Sequence, residues 1–323
     1  MHPSIADDLS SHFGVRFTGE RPVYGGLLNR KWRVDTDQGP LLVKQYSRER
    51  FSPAKLARIE AALARQIALG EAGAPCPRLW RRDGRVLREL PDGAVYMVME
   101  FCPGRALEPG TASKGQMASL GEACARMHAA MAQLPGGRGG PLPEGGYSLG
   151  ALRAHLAAAD PGEADLAPEG RAAYRRALAA AREIVRALPG DFFGGFARGW
   201  AHEDFHSGNV LLDPEGVSAI VDFDRNAPSY PLHDVGRALL SFALADGALD
   251  GEKVEAFRAG YSDHLPLSRA DLAAALRLTW CVETPWWLQS AFFGPCDAVP
   301  RRFVRELRFV RERWADLERL AGA

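Results

Sequence analysis

The sequence predicts an α+β protein of two lobes, a small β-rich N-terminal lobe with one helix and a larger, mainly helical C-terminal lobe. With 323 residues, the chain is long enough to bury one large or two modest hydrophobic cores. Short β-branched and aromatic runs occupy the first hundred residues, whereas the sequence from about Thr111 onward is rich in alanine and leucine. We therefore place the N-terminal lobe at residues 1–101 and the C-terminal lobe at residues 102–323.

The N-terminal lobe is expected to contain a sheet and a single intervening helix. Ser52 and Pro53 are typical of a helix start, because serine caps free backbone amides and proline suits the first helical position. Apolar residues then recur at helical spacing over residues 54–69, and Gly70 is expected to end the helix. The expected strands are residues 15–17, 31–34, 41–46 and 96–101.

The C-terminal lobe is expected to be helical around one short β-hairpin. Turn residues at Asp213-Pro214-Glu215-Gly216 separate two apolar runs, which predicts that the runs pair as strands. The expected elements are a Gly/Pro-rich loop at 136–150, a helical insertion at about 148–190 with a polar break near 160–170, hairpin strands at 209–212 and 217–223, and helices from 232 to 323.

Charge and cysteine content exclude several classes of partner. Lys plus Arg equals Asp plus Glu, at 40 each, so net charge gives no reason to expect binding to nucleic acid or to a membrane. No stretch approaches the roughly 20 apolar residues that span a bilayer, and no signal peptide is evident. The odd number of widely spaced cysteines fits reduced thiols, so we expect a cytoplasmic protein.

The most informative motif is His202-Glu203-Asp204-Phe205-His206-Ser207-Gly208-Asn209, which is followed by Ile220-Val221-Asp222-Phe223-Asp224. Phosphoryl transfer from ATP needs a carboxylate to orient the acceptor hydroxyl and oxygen ligands for Mg²⁺. Asp204 suits the first task, and Asn209 and Asp222 suit the second. The intervening hairpin would bring Asn209 and Asp222 to the same end of two paired strands.

This block resembles the catalytic and metal loops of the aminoglycoside phosphotransferase/choline kinase superfamily, which is related to the protein kinases. The resemblance implies a protein-kinase-like fold and the use of ATP and Mg²⁺. It implies that Asp204 is the catalytic base, that His202 supports its loop, and that Asn209 and Asp222 bind the metal ion.

Two positions depart from the pattern of that superfamily. Glu203 stands where a small residue is usual, and Asp224 follows Phe223 where related kinases have glycine. Asp224 could add a carboxylate near the acceptor or cap the next turn. Further along, Asp234 resembles a helix-anchoring aspartate and is expected to be structural.

The resemblance also implies a nucleotide site in the N-terminal lobe. Lys44, at the end of an apolar strand, corresponds to the lysine that contacts the α- and β-phosphates. Glu60 is the only carboxylate in residues 54–69 and is therefore the candidate to hold that lysine. The turn containing Gly25, Gly26 and Asn29 resembles the loop that covers the nucleotide, because glycines allow close approach of backbone amides to phosphate.

The segment around residues 97–104 resembles the hinge that joins the lobes of these kinases. We expect the Glu100 carbonyl and the Cys102 amide to pair with adenine, and Met99 to border the back of the pocket. Without the accompanying motifs, the same segment would be a buried edge strand without a ligand.

The acceptor site is expected against C-terminal helices. Trp280, Trp286 and Trp287 cluster around Glu283 and could hold an amine through cation–π contacts, or stack on a sugar or base. Aromatic residues at helical spacing are also typical of ordinary core, so both interpretations stay open.

These features predict a small-molecule O-phosphotransferase whose acceptor is an antibiotic, sugar, amino alcohol or related metabolite, in a monomer or homodimer. A protein Ser/Thr kinase of the bacterial stress-kinase type is an alternative, but only about ten residues separate Asp222 from the next helix, which leaves little room for an activation segment. A nonenzymatic, spore-coat-like nucleotide-binding protein is a second alternative. The presence of Lys44, Asp204, Asn209 and Asp222 argues against it.

Overall fold

A computed structural model describes residues 1–24, 29–137, 139–142, 147–159 and 166–322 of the chain. The chain forms two compact units, one made of Met1–Leu107 and Gly208–Asn226, the other of Glu108–Ser207 and Ala227–Ala323. The hairpin at residues 208–226 therefore belongs with the N-terminal part, whereas the sequence placed it in the C-terminal lobe. Backbone hydrogen bonds explain this, because the Arg105 amide donates to Leu212 and the Ile220 amide donates to Pro75.

The first unit contains a five-stranded antiparallel sheet in the order β1-β2-β3-β5-β4. The expected strand at residues 15–17 begins only at Phe17. A helix that the sequence analysis missed precedes it and buries Ile5 and Leu9. The elements are α1 (Pro3–Phe13), β1 (Phe17–Pro22), β2 (Arg30–Thr36), β3 (Gly39–Tyr46), α2 (Pro53–Glu71), β4 (Arg88–Glu89) and β5 (Val95–Glu100).

Helix α2 forms as predicted, with the Ser52 side chain accepting a hydrogen bond from the Lys55 amide, and it runs to Glu71, past Gly70. Alternate residues of β3 lie on opposite faces of the sheet. Leu42 and Tyr46 pack in the cluster that includes residues of α2, and Leu41 and Val43 pack in the cluster that includes α1. Lys44 is in phase with Leu42 and Tyr46, so the alternation places its side chain on the α2 face.

The predicted hairpin is present in the first unit. Its strands, Val210–Leu212 and Val217–Ile220, pair antiparallel, and a short 3₁₀ turn follows at Phe223–Arg225. The Val221 amide donates to the Asn209 carbonyl at 2.9 Å, so the pairing extends to the residue before Asp222.

The second unit is mostly helical, as predicted. Two short antiparallel strand pairs accompany the helices, Gly199–Ala201 with Ala227–Ser229 and Leu244–Ala245 with Ala248–Leu249; neither pair was expected from the sequence. The helices are α3 (Lys114–Met131), α4 (Leu149–Ala158), α5 (Pro168–Ala187), α6 (Pro231–Ala238), α7 (Gly251–Ser262), α8 (Arg269–Trp287), α9 (Ala298–Glu312) and α10 (Leu317–Gly322).

Helices α6 and α8 approach each other closely at Gly236. A Cβ atom there would lie 2.5 Å from the Ala275 carbonyl oxygen, so only glycine allows this approach. The crossing brings His233 of α6 against Glu283 of α8. Within the described ranges, no helix has the length and apolar character needed to traverse a bilayer.

Candidate active site

Lys44 lies at the centre of a buried charged cluster in the first unit. Its side chain is 2% exposed, and its Nζ donates to Asp222 Oδ1 at 2.8 Å and to Asp224 Oδ2 at 2.7 Å. The Tyr46 hydroxyl donates to the other oxygen of Asp224 at 2.9 Å. Burial opposes a charged lysine, but the carboxylates of Asp222 and Asp224 raise the pKa of Lys44 well above its ordinary value. The Lys44 side chain therefore stays positively charged at neutral pH.

Glu60 does not hold Lys44, and that expectation was wrong. Its two carboxylate oxygens accept hydrogen bonds from the backbone amides of Val86 and Leu87, each at 2.8 Å. Asp224 is the additional partner of the lysine, and its two carboxylate oxygens accept hydrogen bonds from Lys44 and Tyr46 rather than from a turn; a place near the acceptor stays a prediction. The Lys44–Asp224 contact joins residues 180 positions apart, a pairing that helix spacing cannot reveal.

Asp222 and Asn209 are suited to the predicted metal site. Asp222 has a left-handed backbone (φ +66°) directly after the hairpin, and its side chain is 25% exposed, with Lys31 Nζ 3.8 Å from Oδ2. The hydrogen bond from Val221 to Asn209 sets these two residues at the same end of the hairpin. One carboxylate and one amide oxygen are hard donors, the kind that Mg²⁺ accepts when phosphates and water complete its shell. Among the described residues, no group of three or more His, Cys, Asp or Glu side chains is arranged to hold a metal ion.

The predicted catalytic loop, which carries Asp204, lies in the second unit and is anchored by Asp234. The fully buried Asp234 carboxylate accepts from the backbone amides of His202 at 2.6 Å and Glu203 at 3.0 Å. His128 Nε2 lies 3.1 Å from the same carboxylate. Burial alone would raise the pKa of Asp234, but the hydrogen bond and charge of His128 bring the net pKa below its ordinary value. The structural role expected for Asp234 agrees with these contacts.

Asp204 follows this anchored segment and remains accessible. Its side chain is 31% exposed, and His206 Nε2 lies 3.5 Å from Oδ1. His202 is completely buried, so it can support the loop but not contact a ligand. A fixed backbone with a partly exposed carboxylate is what orienting an acceptor hydroxyl requires.

The contacts of Glu203 explain why a large residue can stand beside Asp204. The Glu203 backbone is left-handed (φ +68°), a conformation that disfavours most side chains. Its buried carboxylate receives a short hydrogen bond from the Tyr147 hydroxyl and contacts His233 Nδ1 at 3.3 Å. Glu203 was recognised as unusual from the sequence, but no sequence pattern indicated that Tyr147 and His233 would be its partners.

The aromatic cluster of α8 divides into core and surface. Trp280 is 1% exposed and packs edge-on against Trp314, so its expected role in acceptor binding was wrong. Trp287 stacks on Phe303 with ring centroids 4.2 Å apart, whereas Trp286 is 56% exposed.

Glu283 is engaged by partners within the same unit. It contacts His233 Nε2 at 3.2 Å and accepts from Trp287 Nε1 at 2.6 Å. These contacts tie α6 to α8 and leave the acceptor role of Glu283 a prediction.

The residues of the expected hinge lie at the end of β5. Met99 packs in the core cluster on the α2 face, and the Glu100 amide donates to the Arg78 carbonyl at 2.9 Å. Burial, with Glu100 nearby, raises the pKa of the Cys102 thiol to about 12, so this thiol is not reactive at neutral pH. Asn29 immediately precedes β2, while Gly25 and Gly26 fall outside the described residues.

Comparison with known proteins confirms the fold class. The profile of the phosphotransferase enzyme family matches residues 20–277. A homoserine kinase of Bradyrhizobium sp. (strain BTAi1) is 30% identical over 94% of this chain and 92% of its own, and one of Methylobacillus flagellatus is 28% identical over 82% and 77%.

Solved structures extend this comparison to kinases with other acceptors. A microcompartment-associated aminopropanol kinase superposes with a TM-score of 0.63 at 18% identity, covering 99% of both chains. A spectinomycin phosphotransferase in complex with ADP and spectinomycin gives a TM-score of 0.59 at 13% identity, covering 99% and 97%. Identities this low establish the shared kinase-like fold alone.

Proposed function

Because the chain belongs to the phosphotransferase enzyme family and is a small-molecule kinase that phosphorylates a hydroxyl, we propose that it transfers the γ-phosphate of Mg·ATP to a hydroxylated amino acid or amino alcohol resembling homoserine. The observation that carries the acceptor proposal is similarity over nearly the whole chain to homoserine kinases. The fold shared with an aminopropanol kinase is compatible with this class, since that kinase is named for a small acceptor that carries an amine and a hydroxyl.

ATP would be bound in the first unit. Lys44 is a permanent cation in a site with little water, so it can pair with phosphate oxygens more strongly than an exposed lysine could. Asp222 and Asp224 hold its ammonium group in place until the nucleotide binds. Structures of this fold with bound ADP or AMP-PNP support a nucleoside triphosphate as the donor.

Mg²⁺ would arrive with ATP and be held by Asn209 and Asp222. When bound, the ion neutralises charge on the β- and γ-phosphates during transfer. The chain's own contribution is the left-handed turn at Asp222 and the hydrogen bond from Val221 to Asn209, which hold the two oxygen donors before the ligand arrives.

Asp204 would orient the acceptor hydroxyl and accept its proton. The oxygen of that hydroxyl attacks the γ-phosphorus, the bond to the β–γ bridging oxygen breaks, and ADP leaves with the electron pair. Asp234 prepares this step by fixing the amides of His202 and Glu203, the two residues before Asp204. Positioning supplies much of the rate in such transfers, so the anchored loop supports the proposal.

An acceptor screen tests the proposal. ADP release would be measured with homoserine, threonine, serine, aminopropanol, sugars and aminoglycosides, for wild type and Asp204→Ala, with Mg²⁺ or with EDTA. The proposal expects turnover with homoserine or a close amino alcohol, lost with Asp204→Ala and with EDTA. Turnover confined to aminoglycosides or sugars, or retained fully by Asp204→Ala, would overturn it.

A further inference from the structure

We propose that His233 is a positioning residue for phosphoryl transfer, which holds the catalytic loop by clamping the side chain of Glu203 next to Asp204. The inference rests on the proposed role of Asp204 and adds a group outside the family motif. His233 lies on α6 and Glu203 lies in the catalytic loop, so the contact links a helix of the second unit to the reacting end of that loop.

His233 is placed between two buried carboxylates. Its Nδ1 lies 3.3 Å from Glu203 Oε1 and its Nε2 lies 3.2 Å from Glu283 Oε1, while its ring is 1% exposed. A carboxylate can only accept hydrogen bonds, so both ring nitrogens must donate, which requires the doubly protonated ring. Each hydrogen bond then joins opposite charges away from water.

The contact with His233 acts on a residue whose backbone conformation is strained. Glu203 has a left-handed backbone, a conformation that is strained for a residue with a Cβ atom. Asp234 holds its amide, and Tyr147 and His233 hold its carboxylate. Because Asp204 is covalently joined to Glu203, releasing this side chain frees the direction of the catalytic carboxylate.

The groups around His233 carry charges of both signs. Glu203 faces it from the loop, Glu283 from α8, and Asp234 and Arg237 are its neighbours on α6, with Arg237 Nε 3.8 Å from Glu283. Burial alone would lower the pKa of His233, but its hydrogen bonds to Glu203 and Glu283 raise it to about 9. The ring is therefore charged at neutral pH and loses its proton only in alkaline solution.

Deprotonation would remove one of the two donors of His233, so that either Glu203 or Glu283 would lose its hydrogen bond from the ring and keep only its remaining partner. The expected consequence is a less well positioned Asp204, which lowers kcat, with little change in ATP binding, because Lys44 and Asp222 do not depend on His233. Wild-type kcat should therefore fall as pH rises through about 9.

The test compares His233→Gln with His264→Gln, a control at an exposed histidine of the same unit whose nearest carboxylate is Glu122 at 3.8 Å. Wild type, both variants and Asp204→Ala would be assayed for kcat, for KM of ATP, and for kcat between pH 6 and pH 10. We expect His233→Gln to lower kcat by about tenfold or more with KM for ATP within about twofold, and to lack the alkaline limb.

Glu203→Gln provides the second variant. Replacing one carboxylate with an amide lowers the pKa of His233, so the alkaline limb should move to lower pH in this variant, a change that a purely structural contact would not produce. The inference is overturned if His233→Gln and His264→Gln have the same kcat. It is also overturned if the fall of kcat at alkaline pH remains at the wild-type pH in both His233→Gln and Glu203→Gln. Full activity in Asp204→Ala, or none in wild type, would instead overturn the proposed function, and this inference with it.

Discussion

Lys44 and Asp224 form a 2.7 Å ion pair in which the lysine side chain is 2% exposed and the aspartate side chain 11% exposed. The pair joins strand β3 to the 3₁₀ turn after the hairpin, inside the first unit. Asp224 thus holds the Lys44 ammonium group, which we had expected Glu60 on α2 to do. The carboxylate that holds the lysine therefore comes from the segment that also carries Asp222.

Asp224→Asn should weaken ATP binding. An amide cannot provide the charge that holds Lys44, and losing a hydrogen bond between charged groups costs about 1.5–3 kcal/mol, so the Kd for ATP should rise roughly tenfold or more. Isothermal titration with ATP and Mg²⁺ measures this change. Asp92→Asn, at an exposed position of the same unit, is the control and should bind like wild type. An unchanged Kd in Asp224→Asn would contradict the assignment.

Glu60→Gln should affect stability and leave ATP binding unchanged. The substitution replaces one of the two charged acceptors that bind the amides of Val86 and Leu87, at a cost of about 1–2 kcal/mol. Urea unfolding should show this loss, while Glu71→Gln, at an exposed helix end, should not. A large rise in the KM for ATP, with unchanged stability, would restore Glu60 as the partner of the lysine.

Protonation of Asp234 should make the protein less stable in acid. Its folded-state pKa lies below the unfolded value of 3.8, so its stabilising contribution is present above that value and is lost as pH falls through the folded-state pKa. Asp234→Asn should lower the free energy of unfolding by about 2–4 kcal/mol at neutral pH, because the amides of His202 and Glu203 lose a charged acceptor.

The change in the pH dependence is the sharper readout for Asp234. The free energy of unfolding of Asp234→Asn should depend less steeply on pH below about 5 than that of wild type, since one shifted carboxylate has been removed. Asp263→Asn, at an exposed helix end, should keep the wild-type slope. An equal slope in Asp234→Asn and wild type would count against the anchor.

Trp280→Ala and Trp286→Ala should separate core from surface on the same helix. Removing the buried Trp280 leaves a cavity and should cost about 3–5 kcal/mol of stability. Removing the exposed Trp286 should change stability by less than about 0.5 kcal/mol, and it should raise the KM for the acceptor if this ring contacts it. Equal losses of stability in the two variants would contradict the assignment.

The local structure and the residues of the motif could be predicted from the sequence. Ser52 and Pro53 marked the start of α2, and the turn residues at 213–216 between two apolar runs predicted the hairpin, because caps, turns and short strand pairs depend on neighbouring residues. Helix α1 was missed although Ile5 and Leu9 stand at helical spacing, because the helix is short and only these two side chains are buried.

The partners of the charged residues could not be predicted in the same way. The pairing of Lys44 with Asp224, and of Glu203 with His233, joins distant parts of the chain, and sequence spacing carries no information on such contacts. The choice of Glu60 followed from helix position alone. Burial of Trp280 likewise depends on which face of α8 meets Trp314, and the aromatic spacing of α8 left that open.

The most direct test of the central claim is mass-spectrometric detection of phosphorylated product from ATP and homoserine, with wild type and Asp204→Asn compared in the presence of Mg²⁺. Asp204→Asn keeps the size of the side chain and removes its ability to accept a proton, while Lys44, Asn209 and Asp222 stay intact. The account predicts stoichiometric ADP and O-phosphohomoserine with wild type, and a loss of about a hundredfold or more in rate with Asp204→Asn. Product formed equally fast by both proteins, or ADP released by wild type without any phosphorylated acceptor, would contradict it.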